Sequence, residues 1–269
     1  MGALHHLGAA DVGSFRRPPA HTPPDRARPA VANVAREKTS GYVGPAGGTG
    51  AFHSFLEHTM TISFFILFAF MLYHSLARLA GHGRLWLAVA ALALGLLAGD
   101  FVSGLVHWLA DTYGSERTPV VGPNFIKWFR IHHVSPQDIC AHGFVATNGN
   151  TCILAAPLVA LCLPFVWDED ASAARTFAAL SVALMAATAV ATNQFHKWAH
   201  AAAPPRVALW LQGARLILHP RHHDRHHSAP FDGHYCIANG WLNPLLERVG
   251  FFRALERALG RAGLKAARD

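Results

Sequence analysis

Four stretches of this chain are apolar almost without interruption: about 59–79, 85–108, 151–167 and 174–195. A helix needs about 20 consecutive apolar residues to cross bilayer hydrocarbon, so each stretch predicts a membrane span. The third is the shortest and carries Pro157 and Pro164. Two other segments, 123–131 and 205–218, mix bulky apolar residues with Lys or Arg. They predict short helices, either lying in the plane of the membrane surface or packed against the ends of the spans. Residues 1–50 are rich in Pro, Ala, Gly and Arg and have no apolar periodicity. They predict a disordered tail without the layout of a signal peptide. The expected fold is an all-α integral membrane protein with about four transmembrane helices, one membrane-embedded domain over 51–269 and a His-rich helical cap on the cytoplasmic side.

Composition agrees with that pattern. Of 269 residues, 52% are hydrophobic and 14% charged, where a soluble domain carries about 25% charged residues. The net charge of +7 in such a chain marks a face turned to anionic lipid, and no nucleic-acid-binding module accompanies it. Cys140, Cys152, Cys162 and Cys236 form no CxxC pair, which argues against a zinc ribbon or a disulfide framework.

The distribution of Lys and Arg predicts the orientation. Six precede the first span, three lie between the second and third, and eleven follow the fourth. The opposite loops and their span edges hold only Arg78, Arg84 and Arg175, with the acidic run Asp168-Glu169-Asp170. The positive-inside rule then puts both termini in the cytoplasm. It also brings every histidine-rich segment to one side of the membrane, where the segments can converge.

Those segments carry the candidate chemistry. The run LHPRHHDRHH holds His219, His222, His223, His226 and His227. On one helix face His223, His226 and His227 stand at i, i+3 and i+4, with His222 and Asp224 placed to support them. His196 and His200 close the fourth span at i, i+4, a spacing used by helical metal pairs. Lys197 stands where a zinc peptidase would carry its glutamate, so peptidase chemistry is disfavoured. The adjacent His132 and His133 point in different directions, so the pair can serve two metals. Asp100, His107 and Asp111 fall within about 40° on the second span, and ionisable residues entering a membrane helix read as functional. Imidazoles in this number suit iron, zinc or copper.

The order of motifs GDFVSGLVHWLADTYGS, FRIHHVSPQDICAHGFVATNGN, TNQFHKWAH and RHHDRHHSAPFDGHYCIANGWLN resembles the plasmanylethanolamine desaturase family over about residues 90–255. A plant chloroplast desaturase shares the domain. The resemblance implies a membrane di-iron, O2-dependent lipid desaturase. Its product would be the vinyl ether of plasmalogens, made from 1-O-alkyl ethanolamine phospholipids. Its iron ligands would be His107, His132, His133, His196, His200, His223, His226 and His227. Asp100, Asp111, His142, Asn148, His222 and Asp224 are candidates for supporting those ligands, and Lys127, Arg130, Arg206 and Arg221 for meeting the lipid head group. No GxGxxG follows a strand signal, so electrons from NAD(P)H would arrive through a separate b-type cytochrome or ferredoxin. Ala- and Arg-rich composition suggests a bacterial inner membrane. No feature specifies an oligomeric state. Two other readings remain open: a fatty-acyl desaturase or hydroxylase acting on a phospholipid acyl chain, and a non-enzymatic membrane metal-binding or signalling protein.

Overall fold

The computed structural model describes residues 51–168 and 170–267. The tail expected over 1–50 lies outside the described residues. Among the described residues all regular structure is helical. Four helices are long and apolar enough to cross a membrane: α1 (Ala51–Gly81), α2 (Trp86–Thr112), the pair α4 (Phe144–Cys162) and α5 (Pro164–Trp167), and α6 (Ala173–His200). Short helices join or follow them: α3 (Lys127–Val134), α7 (Arg206–Gly213), α8 (Pro220–His223), α9 (Asn243–Arg248) and α10 (Phe251–Arg261).

Helices α1, α4 and α6 extend well beyond the apolar runs that announced them. Hydropathy ends where polar residues begin, but a helix continues while those residues find partners inside the bundle. In α4 the polar start VATNGN is helical because Asn148 Nδ2 donates to Phe144 O at 2.9 Å and Gly149 lies against Glu57 of α1. Pro157 is accommodated inside α4. Pro164 occupies the first position of α5, where a missing N–H costs nothing.

Small residues set how closely the spans approach. A Cβ on Gly95 would lie 2.5 Å from Leu184 Cβ, and one on Gly99 would lie 2.4 Å from Thr188 Cβ. The backbones of α2 and α6 therefore meet through a glycine seam, the common device for helix association in lipid. A second core of Phe64, Met71, Val159 and Ala183 joins α1, α4 and α6. At one end of the bundle Arg78 donates to Val166 O and Trp167 O at 3.0 and 3.1 Å. The opposite end carries α3, the C-termini of α2 and α6, and the chain after residue 200.

Two short predicted helices differ from expectation. Over 123–131 the chain makes a π-helical turn, Gly122–Ile126, and then α3, which carries His132 and His133. Over 205–218 the helix stops at Gly213, because Arg215 is left-handed (φ 59°) and Leu218 N instead donates to Ala238 O at 2.9 Å.

The loop over 235–243 is held down by α2. Asp100 accepts backbone N–H groups from Asn239 and Gly240 on Oδ1 (3.0 and 2.9 Å) and from Leu242 on Oδ2 (3.1 Å). Ser103 Oγ accepts Ile237 N at 3.0 Å, and Gly104 leaves room for Cys236 Sγ. Trp108, Tyr235, Leu246 and Phe252 pack beside this anchor.

Candidate metal centre

The histidine side chains at that end of the bundle form two groups. In the first, ligand atoms of His132, His196, His200, His223 and His227 all lie within 4.8 Å of one another. In the second, the same holds for His107, Asp111, His133 and His226. The groups abut: ring centroids of His132 and His133 are 6.4 Å apart, and those of His223 and His226 are 5.7 Å apart.

Each group is assembled from several elements. Helix α6 supplies His196 and His200 one turn apart, α3 supplies the adjacent pair, and α2 supplies His107 and Asp111. The run after α8 divides between the groups. A helix face holding His223, His226 and His227 together was the expectation, but α8 ends at His223 and the next residues form single turns. His226 N donates to His223 O at 2.9 Å and His227 N reaches the same oxygen at 3.3 Å. The tighter turn sends His226 to the second group, while His223 and His227 stay with the first.

In the first group the five Nε2 atoms face inward. His223 Nε2 lies 2.8 Å from His196 Nε2, and 2.9 Å from each of His200 Nε2 and His227 Nε2. His132 Nε2 lies 3.0 Å from His200 Nε2, and His196 Nε2 lies 3.1 Å from it. A neutral imidazole has one N–H, so the His196–His200–His223 triangle cannot satisfy all its contacts by mutual hydrogen bonding. A cation at the centre satisfies every lone pair. Imidazole nitrogens about 2 Å from a divalent ion lie roughly 3–4 Å apart, which matches this spacing.

The second group is organised around a carboxylate. Asp111 Oδ2 lies 3.2 Å from His133 Nε2, 3.4 Å from His107 Nε2 and 3.6 Å from His226 Nε2. The outer nitrogens are fixed from behind: His107 Nδ1 donates to Tyr235 O at 3.2 Å and His226 Nδ1 to Gly233 O at 2.8 Å. Those bonds select the tautomer whose Nε2 lone pair points at the centre, the usual arrangement behind a metal-bound imidazole. Both of these Nε2 atoms are buried and make no hydrogen bond. The donor set therefore fits a metal ion in each group.

Electrostatics favours the same state. Burial, with neighbouring imidazoles adding to it, pushes His132 down to about 2 and His227 down to about 3. Burial also brings His226 down to about 3 and holds His223 well below its ordinary value. All four are neutral at pH 7, the form that binds a metal without first losing a proton.

The remaining sequence candidates are placed elsewhere. Asp100 anchors the 235–243 loop and stands apart from both groups. Asn148 is buried on α4, where its Nδ2 donates to Phe144 O. The carbonyl of His142 accepts from Lys197 Nζ. His222 Nε2 accepts from Asn243 Nδ2 at 2.9 Å. Asp224 belongs to neither group, and the outer nitrogens of His107 and His226 meet the carbonyls of Tyr235 and Gly233. Among the head-group candidates, Arg130 is committed to Gly114 O and Ala267 O at 2.8 and 3.1 Å, and Lys127 lies 5.7 Å over the Trp128 ring. Arg206 and Arg221 are exposed. Asp111 joins the converging atoms themselves, a closer place than sequence spacing gave it. The orienting carbonyls were invisible in the sequence because any residue type supplies one; their only trace was the GHYCIANGWLN motif.

Residues 96–268 match the family model described as the lipid desaturase domain. A plasmanylethanolamine desaturase of Myxococcus xanthus is 46% identical over 176 residues, 65% of this chain and 61% of that protein. Plasmanylethanolamine desaturase 1 of Mus musculus is 38% identical over 219 residues, 80% of each chain. Fatty acid desaturase 4, chloroplastic, of Arabidopsis thaliana is 34% identical over 164 residues, 60% of this chain and 48% of that protein. No solved structure matches the chain. Because the matched stretch contains both converging groups and the loop that orients them, and the mouse relative aligns along most of either chain, this protein belongs to the lipid desaturase family.

Proposed function

We propose that the protein is a di-iron, O2-dependent desaturase that makes the vinyl ether of plasmalogens from 1-O-alkyl ethanolamine phospholipids. The observation carrying this reading is the pair of abutting donor groups at one end of a membrane bundle. One iron would be held by His132, His196, His200, His223 and His227, and the other by His107, Asp111, His133 and His226. Two irons held there supply the activation of O2: two hydrogens leave adjacent carbons, a C=C bond forms, and O2 with two electrons and two protons becomes two waters. The electrons come from NAD(P)H through a separate b-type cytochrome or ferredoxin. The chain's own residues fix the geometry. The carbonyls of Tyr235 and Gly233 hold the His107 and His226 rings in their ligating tautomer, and the carboxylate of Asp111 offsets positive charge in the second group. The neutral imidazoles of His132, His223, His226 and His227 accept cations at pH 7 without releasing protons, and the buried rings of His223 and His226 keep bulk water from the centre.

The Lys and Arg distribution supports a site and termini on the cytoplasmic side, and the Ala- and Arg-rich composition supports a bacterial inner membrane. The substrate reading draws on the two relatives named plasmanylethanolamine desaturases. A second reading, oxidation of a phospholipid acyl chain, is favoured by the chloroplast relatives named fatty acid desaturases.

Metal analysis of the purified full chain tests the ligand assignment. Two irons per chain are expected for the wild type and about one for Asp111→Ala. Two irons retained in Asp111→Ala would remove the carboxylate from the assignment, and no iron in the wild type would remove the di-iron reading.

A further inference from the structure

Beside the metal groups, on the other side of α8, lies a cavity of about 340 Å³ lined by Arg215, His219, His222, Asn239, Trp241 and neighbouring backbone. His222 and His223 leave α8 in different directions, one into this cavity and the other into the five-imidazole group. None of the lining residues is acidic. The Asp224 carboxylate is close enough to influence His219 but does not line the space.

The cavity presents donors. His219 Nδ1 accepts Arg221 N at 3.2 Å, which leaves the proton on its Nε2. His222 Nε2 accepts from Asn243, which leaves its proton on Nδ1. Asn239 is 7% exposed, and its Nδ2 is buried without a hydrogen-bond partner among the described residues. Its Oδ1 is already used by Trp241 N at 2.9 Å. Arg215 adds a guanidinium from a left-handed backbone (φ 59°), a conformation rare for a residue with a Cβ. Trp241 Nε1 donates to Arg215 O, which braces that backbone. A guanidinium beside an imidazole N–H, in a space that no acidic side chain lines, suits an oxygen-rich anion.

The surroundings identify the carrier of that anion. Trp241 lines the cavity and is exposed, and the exposed Leu216 and Leu245 follow its lining residues Arg215 and Pro244 in the chain; exposed Trp is typical of the level of lipid head groups. A phosphate held here brings its glycerol to the edge of the metal end of the bundle. The ether carbon oxidised in the proposed reaction is only a few bonds from that phosphate.

We infer that the Arg215–His219–His222–Asn239 cavity binds the phosphate of a membrane glycerophospholipid and sets the substrate against the metal centre. The inference deepens the desaturase reading by assigning the residues that take the head group. Arg215 and Asn239 are positioning residues.

The test is calorimetric titration of the iron-loaded full chain in detergent with three ligands. These are a short-chain 1-O-alkyl-2-acyl glycerophosphoethanolamine, the matching alkylacylglycerol without phosphate, and inorganic phosphate. Two variants are compared with the wild type. Arg215→Asn removes the cation but suits the left-handed backbone, and Asn239→Asp keeps the acceptor for Trp241 N while placing a negative charge in the cavity. The wild type is expected to prefer the phosphate-bearing lipid to either other ligand. Each variant should lose about ten- to a hundredfold of its affinity for that lipid, the range for losing a charge-assisted hydrogen bond. Iron content should be unchanged in Arg215→Asn, and KM should rise more than kcat falls. Wild-type lipid preference in both variants overturns the inference. Inorganic phosphate binding as tightly as the phospholipid overturns the lipid source. Binding as expected in a chain that oxidises no lipid keeps the phosphate site and fails the desaturase reading.

Discussion

His223→Ala is expected to abolish lipid desaturation and to strip iron from the five-imidazole group. His223 is the hub of that group, with its Nε2 within 2.9 Å of those of His196, His200 and His227. It is also buried, so no water replaces it easily. Losing a residue that only supports a ligand already costs about 10–100-fold in metal affinity or activity. Losing the central ligand should cost at least as much, at about 100-fold or more. Product formation and iron content, measured on the same preparation, check this. His58→Ala is the control, because the exposed His58 ring pairs with the Ser54 carbonyl of its own helix and belongs to neither histidine group. Normal product from an iron-depleted His223→Ala protein would sink the assignment.

The second large effect lies away from the metals. Asp100→Asn keeps the shape of the side chain but turns one acceptor oxygen into an amino group. If the remaining oxygen keeps the Asn239 and Gly240 N–H groups, the new amino group faces Leu242 N, donor against donor. A buried donor left without an acceptor costs about 1–3 kcal/mol, and more where the lost acceptor was charged. The cost falls on the 235–243 loop, whose Tyr235 carbonyl orients His107. Asp100→Asn should therefore lower the thermal midpoint and reduce iron in the four-ligand group more than in the five-imidazole group. An unchanged midpoint with full iron would show that the loop is held by other contacts.

These two cases mark what the sequence makes legible. The spans were readable because apolar runs of bilayer length have few other uses. The convergence of the eight histidines was readable because imidazoles clustered at the ends of membrane helices are costly unless they meet partners; the ligand role of each came from the family resemblance. Even the division of His132 and His133 between two centres follows from adjacency on a helix. The sequence was weaker where a long-range contact decides the role. Asp100 and Asp111 sit on one stripe of α2 and look equivalent. Only the fold sends Asp111 to the histidines and Asp100 to backbone N–H groups 139–142 residues away. The Tyr235 carbonyl that orients His107 comes from 128 residues along the chain. The left-handed turn at Arg215, which ends α7 early, has no Gly or Asn at that position to announce it.

The most direct measurement is lipid mass spectrometry of cells making the full chain, supplied with a 1-O-alkyl ethanolamine phospholipid and a competent electron donor. The expected result is an acid-labile species two mass units lighter than the supplied lipid, dependent on oxygen and missing in His223→Ala cells. An unaltered ether chain beside newly unsaturated acyl chains would contradict the plasmalogen reading and move the activity to acyl lipids. No lipid change at all would contradict the enzyme reading itself.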